Sequence, residues 1–138
     1  MFVKVVNHPI ADRTYALMRI VVGFLFLCHG LQKVFGLLGG RQVDLMTQIG
    51  FGGLLELICG AAICLGLVTR FAAFIASGMM AVAYVQFHWK PWETGLFEQS
   101  SFPVVNGGEP AVFYCFLFLY MAVKGAGPWS LAPAPKKK

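Results

Sequence analysis

Four long apolar stretches, running roughly over residues 14–36, 48–68, 71–89 and 109–123, leave this chain few folds to adopt. Each is near the ~20 residues that a helix needs to cross a hydrocarbon core. Hydrophobic residues make up 58% of the chain and charged residues 12%. Soluble domains carry about 25% charged residues, so a water-soluble fold of this composition could not cover its apolar surface. A soluble helical core would also need polar faces at helical period, whereas these stretches are apolar nearly all round. The expected architecture is all-α: a polytopic membrane protein, with residues 1–138 forming a single four-helix transmembrane bundle.

The first stretch is longer than the about 7–15 apolar residues of a cleaved signal segment, and no small-residue cleavage site follows it, so it reads as a mature helix. The end of the chain, residues 132–138, is Pro-rich and then basic, a composition that cannot pack and predicts a disordered, solvated tail. Lysine and arginine set the expected orientation. Lys4, Arg13, Arg70, Lys124 and the tail lysines fall on one side of the spans, while Arg41 and Lys90 fall on the other, with Lys33 near the membrane edge. Both termini are therefore expected in the cytoplasm, and the net charge of +5 is mostly this asymmetry and the tail. Such a charge suits anionic lipid; without a nucleic-acid motif it does not indicate nucleic-acid binding.

Ionisable residues inside apolar spans are costly and therefore informative. The set here is Arg19, His29, Lys33, Glu56, His88, Glu109 and Lys124. In the expected topology His29 and Lys33, four residues apart on one face, lie in the outer part of the first span. Glu56 sits about 12 Å down the second at ~1.5 Å per residue, close to the depth of His29. His88 ends the third span and Glu109 begins the fourth, so His29, Lys33, Glu56, His88 and Glu109 converge in the outer half as a polar pocket open to the outside. Gly52, Glu56 and Gly60 recur every four residues, predicting a small-residue groove with a carboxylate in its middle. Ser77, Tyr84 and His88 share a face of the third span, and Glu109 and Tyr120 nearly share one of the fourth.

Blander readings apply to several of these residues. Arg19 has no acidic neighbour at its depth and reads as an inner-leaflet anchor; Lys124, and equally Lys33, can snorkel to the interface. His88 and Glu109 also read as interfacial residues, His88 beside Trp89 and Trp92 in an aromatic belt. Glu56 is harder to dismiss, because a carboxylate at that depth must be protonated, paired or solvated by a cavity, and His29 and Lys33 are its nearest candidate partners. Cys28, Cys59, Cys64 and Cys115 contain no Cys-x-x-Cys pair and read as small apolar residues. A metal site from His29, Glu56, His88 and Glu109 has no ligand motif, and no haem-attachment, phosphate-cradle or nucleophile motif occurs; metal: none, cofactor: none evident.

Taken together, these pieces resemble the DoxX family of small four-helix inner-membrane proteins. The resemblance runs from about Arg19 to Leu131. It is carried by Arg19, by His29-Gly30-Leu31-Gln32-Lys33, by Gly53-Leu54-Leu55-Glu56-Leu57 with Gly60, and by Gly66-Leu67-Val68-Thr69-Arg70-Phe71-Ala72-Ala73. Asn106-Gly107-Gly108-Glu109 and Gly125-Ala126-Gly127-Pro128-Trp129-Ser130-Leu131 complete it. Many relatives carry Asp where this chain has Ala132, which removes an expected polar cap near the last helix. The resemblance implies a bacterial inner-membrane protein, redox-associated and quinone-linked, with His29, Lys33, Glu56 and Glu109 as its polar core. It also implies membrane redox-complex subunits as partners, and leaves homo-oligomerisation open. An accessory subunit fits better than an autonomous enzyme. In one reading His29 and Lys33 donate to the carbonyl of a quinone, Glu56 relays a proton and a partner supplies electrons. In the other, the chain is a non-catalytic partner or assembly factor whose buried charges fix helix register.

Overall fold

The computed structural model describes residues 9–132, so the expected disordered tail from residue 133 onward lies outside the described residues. The elements are α1 (Pro9–Phe35), α2 (Gln48–Leu65) and α3 (Thr69–Ala83), which continues as a π-helix over Tyr84–Trp89. They are followed by two short helices, α4 (Pro91–Thr94) and α5 (Pro103–Asn106), with a 3₁₀ turn at Gln99–Ser101 between them, and by α6 (Glu109–Lys124). No strand occurs among the described residues.

Three of these helical runs, Pro9–Phe35, Gln48–Leu65 and Thr69–Thr94, have the length and composition of a membrane crossing. α6 has 16 residues, about 24 Å of helix, and falls short of the ~30 Å hydrocarbon thickness. Phe24, Phe71, Phe74, Phe113 and Phe116 are each more than half exposed, on a surface that water would not tolerate and lipid would.

Local chemistry accounts for the helix limits. Thr47 caps α2 by accepting a hydrogen bond from the Gly50 N–H at 3.1 Å. α2 stops at Leu65, ahead of the expected residue 68, because Gly66 adopts a left-handed conformation (φ 73°) and returns its N–H to the Ala62 and Ile63 carbonyls. α1 begins before the expected residue 14, with Asp12 in its first turn, where the helix dipole favours a carboxylate.

α1 packs along α2 and α3 along α6, while contact between α2 and α3 is slighter. The first pair meets through glycines. A Cβ on Gly60 would lie 2.5 Å from the Leu27 nitrogen, and one on Gly23 would lie 2.5 Å from the Cys64 nitrogen, so backbone touches backbone. The residue of α2 that approaches α1 beside Gly60 is Gly53; Gly52, expected in that groove, faces the space between α2 and α3. Phe26, Phe118 and Tyr114 close the middle of the bundle, with ring centroids 4.7 Å apart for Phe26–Phe118 and 5.5 Å apart for Tyr114–Phe118.

Two expectations about charges are corrected at the end of the bundle where α2, α6 and the start of α1 meet. Arg19 is fully buried and is no interfacial anchor. Its guanidinium donates to the carbonyls of Ile63 (2.7 Å) and Cys64 (2.8 Å) at the end of α2, and of Pro128 (3.3 Å) and Trp129 (2.7 Å) beyond α6. Unpaired carbonyls at a helix end need donors, and a cation there also suits the dipole, so an arginine can be buried without a carboxylate. Gly66 leaves the room: a Cβ there would stand 2.9 Å from Arg19 Nη1 and closer still to Ser130. Lys124 is likewise paired, its Nζ 3.0 Å from Asp12 Oδ1 and 5.2 Å from the Tyr15 ring centroid. Arg70 donates to the Ala122, Val123 and Lys124 carbonyls and caps α6 in the same way.

Candidate functional site

Lys33 and Glu56 form the centre of the site. Lys33 Nζ lies 2.6 Å from Glu56 Oε1, linking the C-terminal part of α1 to the middle of α2. Gly53 makes this reach feasible, because a Cβ at that position would lie 2.6 Å from Lys33 Cβ and 3.2 Å from its Cδ. The lysine stem thus crosses α2 over a bare patch of backbone. Glu56 is only 4% exposed, and its second oxygen, Oε2, is buried without a hydrogen-bond partner.

This pair borders a cavity of about 770 Å³ that opens where α2 and α3 diverge. Its polar groups include His29, Lys33, Glu56, Ser77 and His88, and its walls are otherwise chiefly apolar. Among the wall residues Ile49, Phe51, Phe74, Val82 and Phe87 are exposed, so the rim is apolar side chain while the charged pair lies within. Gln48, which also lines the cavity, is bonded through its amide to Gln86, tying the start of α2 to the π-helical end of α3. Volume and composition match those of small-molecule sites, typically about 300–1,000 Å³ of apolar wall with a few placed polar groups.

The π-helix shapes the cavity's far end. Widening the turn at Tyr84–Trp89 brings Phe87 and His88 to the cavity wall. His88 Nδ1 is 3.1 Å from the Asn106 carbonyl, and the Tyr84 hydroxyl donates to the Ser101 carbonyl at 2.7 Å, so the loop before α6 holds this segment in place. Ser77, on the wall near mid-helix, donates to the Cys115 carbonyl at 2.8 Å. Eleven residues separate Ser77 from His88, which gives the cleft a length of roughly 15 Å along α3.

Of the expected pocket, His29, Lys33, Glu56 and His88 line one cavity, and Glu109 does not. Glu109 is exposed in the first turn of α6, where its negative charge favours the helix dipole. Tyr84 and Tyr120, which spacing places on shared helix faces with His88 and Glu109, lie off the cavity: Tyr84 is engaged with Ser101 and Tyr120 packs edge-on against Tyr15. Tyr114 joins the site unforeseen, its ring 6.4 Å from that of His29 and perpendicular to it. No polar residue near it in the chain marks it; only the packing of α6 against α1 brings it in. The four cysteines are free, and no group of three or more His, Cys, Asp or Glu among the described residues is placed to hold a metal ion.

Comparison with known proteins agrees with the resemblance read from the sequence. The family model described as DoxX matches residues 14–89, covering the first three long helical segments. An uncharacterized protein of Haemophilus influenzae is 38% identical over 120 residues, spanning 84% of this chain and 86% of its own length. No solved structure matches the chain.

Proposed function

The chain belongs to the DoxX family, and on that footing we propose that its cleft takes a quinone-type molecule from the bilayer as part of a redox-associated membrane complex. The observation that carries this reading is a charged pair, Lys33 with Glu56, set inside an apolar cleft whose rim is lipid-compatible side chain. A molecule with a long apolar tail and a small polar head fits such a site from the side, between α2 and α3. Lys33 Nζ and the His29 ring offer donors to a head-group oxygen, and Glu56 offers a place to hold a proton. Reduction of a quinone to a quinol takes two electrons and two protons. The electrons come from a partner subunit, since the chain has no motif for a redox group of its own. In this reading α6 is a fourth crossing and both termini face the cytoplasm of a bacterial inner membrane. Lys33, Glu56 and the cleft then occupy the outer half.

Thermal unfolding in the presence of a short-tailed benzoquinone, tested in both redox forms, checks the proposal. Ligand that binds only the folded state stabilises by RT ln(1 + [L]/Kd), so the melting temperature rises with concentration. The rise disappears in folded His29→Ala and Glu56→Gln proteins. The runner-up is a non-catalytic partner or assembly factor, favoured by the fact that Lys33 and Glu56 satisfy each other across two helices and so fix their register. That reading wins if neither redox form shifts the melting temperature while Glu56→Gln abolishes co-purification of a partner.

A further inference from the structure

We infer that the cleft selects a ligand whose head group carries a hydroxyl, a hydrogen-bond donor, over the same ligand with an acceptor-only head. The inference rests on the cleft being a ligand site as proposed above, and deepens it by specifying the head. Glu56 presents two oxygens of different status. Oε1 is held by Lys33 Nζ at 2.6 Å; Oε2 is buried and receives no hydrogen bond. A buried polar atom without a partner is uncommon and costly, and a carboxylate oxygen accepts but never donates.

No hydrogen bond from within the protein reaches it. The Ser77 proton is committed to the Cys115 carbonyl, and neither His29 nor Tyr114 bonds Oε2. A ligand in the cleft can supply that donor. The last torsion of a glutamate is broad, so the carboxylate can turn Oε2 toward the cleft at little cost. A hydroxyl placed there accepts from Lys33 through its oxygen and donates to Glu56 through its hydrogen. An ether, a fluorine or a carbonyl oxygen can accept from Lys33 but meets Oε2 lone pair to lone pair, so of the two redox forms of a quinone-type ligand the quinol is the one held more tightly. Hydrogen bonds to an ionised group are among the stronger ones in proteins, which makes the expected preference roughly tenfold or more.

The test uses the full chain in lipid nanodiscs and three redox-inert probes with one tail: para-hexylphenol, its methyl ether, and the fluoroarene that replaces hydroxyl with fluorine. The phenol is expected to bind roughly tenfold more tightly than either of the others. In Glu56→Gln the preference falls toward unity, whereas a preference caused by the bulk of the ether would survive. The fluoroarene, no bulkier than the phenol, keeps the comparison decisive in the wild-type chain should that variant not fold. Equal binding of phenol and fluoroarene overturns the selectivity and leaves the cleft a ligand site. Binding of none of the probes, nor of the benzoquinone in either form, overturns both.

Discussion

Lys33 reaches Glu56 from the neighbouring helix by lying across Gly53, with Nζ 2.6 Å from Oε1. The Lys33 side chain is about one-third exposed and that of Glu56 almost wholly enclosed. The cost of burial therefore falls mainly on Glu56, and Lys33 offsets it while keeping N–H groups free for the cleft. Helix register, charge compensation and ligand chemistry all depend on the same contact.

Breaking the pair from one side should cost more than removing it. Glu56→Gln leaves Lys33 without its counter-charge in a low-dielectric setting, with an expected loss of roughly 1 to 3 kcal/mol. Glu56→Gln combined with Lys33→Met should recover part of that loss. Reversible denaturation in mixed micelles of the two single variants and the double variant measures the coupling. A coupling energy of zero would remove the ion pair from any account of stability.

Gly53 and Gly52 provide a paired test of how the lysine is seated. At Gly53 a methyl group would strike the Lys33 stem close to its backbone, where the side chain cannot swing aside. At Gly52 the nearest atom is Met79 Sδ at 4.0 Å, an ordinary contact. Gly53→Ala is therefore expected to destabilise by about 1–3 kcal/mol, as overpacking does, and to weaken quinone binding. Gly52→Ala should change stability little. Equal effects at the two positions would contradict the crossing of Lys33 over Gly53.

Much of this was legible in the sequence because a membrane imposes strict rules on composition. Three spans followed from apolar length, and depth within the spans left His29 and Lys33 as candidate partners of Glu56, of which Lys33 makes the ion pair. Glu109 was misplaced because a position one residue into a helix has no depth constraint: the first turn can rotate a carboxylate to solvent as easily as inward. Arg19 was misread for a different reason. Its partners are carbonyls at the end of α2 and beyond α6, not a carboxylate, and no side-chain pattern displays a carbonyl. Three of the segments that carried the family resemblance, Arg19, Gly66–Arg70 and Gly125–Leu131, meet in space at that one place. There Leu131 N–H bonds the Leu65 carbonyl at 3.0 Å.

That meeting point predicts an asymmetric role for the two arginines. Arg19→Met deletes the guanidinium hydrogen bonds to the Ile63, Cys64, Pro128 and Trp129 carbonyls, with an expected loss of at least about 2 kcal/mol. Arg19→Lys should recover little, since an ammonium cannot reproduce the planar fork that spans two chain segments. Arg70 is exposed, so Arg70→Lys should be nearly silent. Limited proteolysis reads the local effect: cleavage after Gly125 should rise in both Arg19 variants and not in Arg70→Lys. Equal protection in all three would mean that the segment after α6 is held by something else.

Orientation decides which compartment lies beyond Gln48 and His88, and it follows from charge rather than from packing. Arg70 caps α6 and Lys124 pairs with Asp12 at one end of the bundle, where Arg13 and the tail lysines also belong by sequence; the opposite end has Arg41 and Lys90. Segments rich in lysine and arginine are retained in the cytoplasm, so the cleft's Gln48–His88 end is expected to face outward. Fusion of a reporter active only outside the inner membrane should give signal after Leu38 and after Gln99. Fusions after Arg70 and at the C-terminus should be silent. Because α6 is short, the C-terminal fusion carries the most information: silence there together with signal after Gln99 makes α6 a true crossing. Signal at both positions would leave α6 lying outside the span count. The reverse pattern throughout would put the Lys33–Glu56 cleft in the cytoplasmic half, where a proton taken up by Glu56 would come from the opposite side of the membrane.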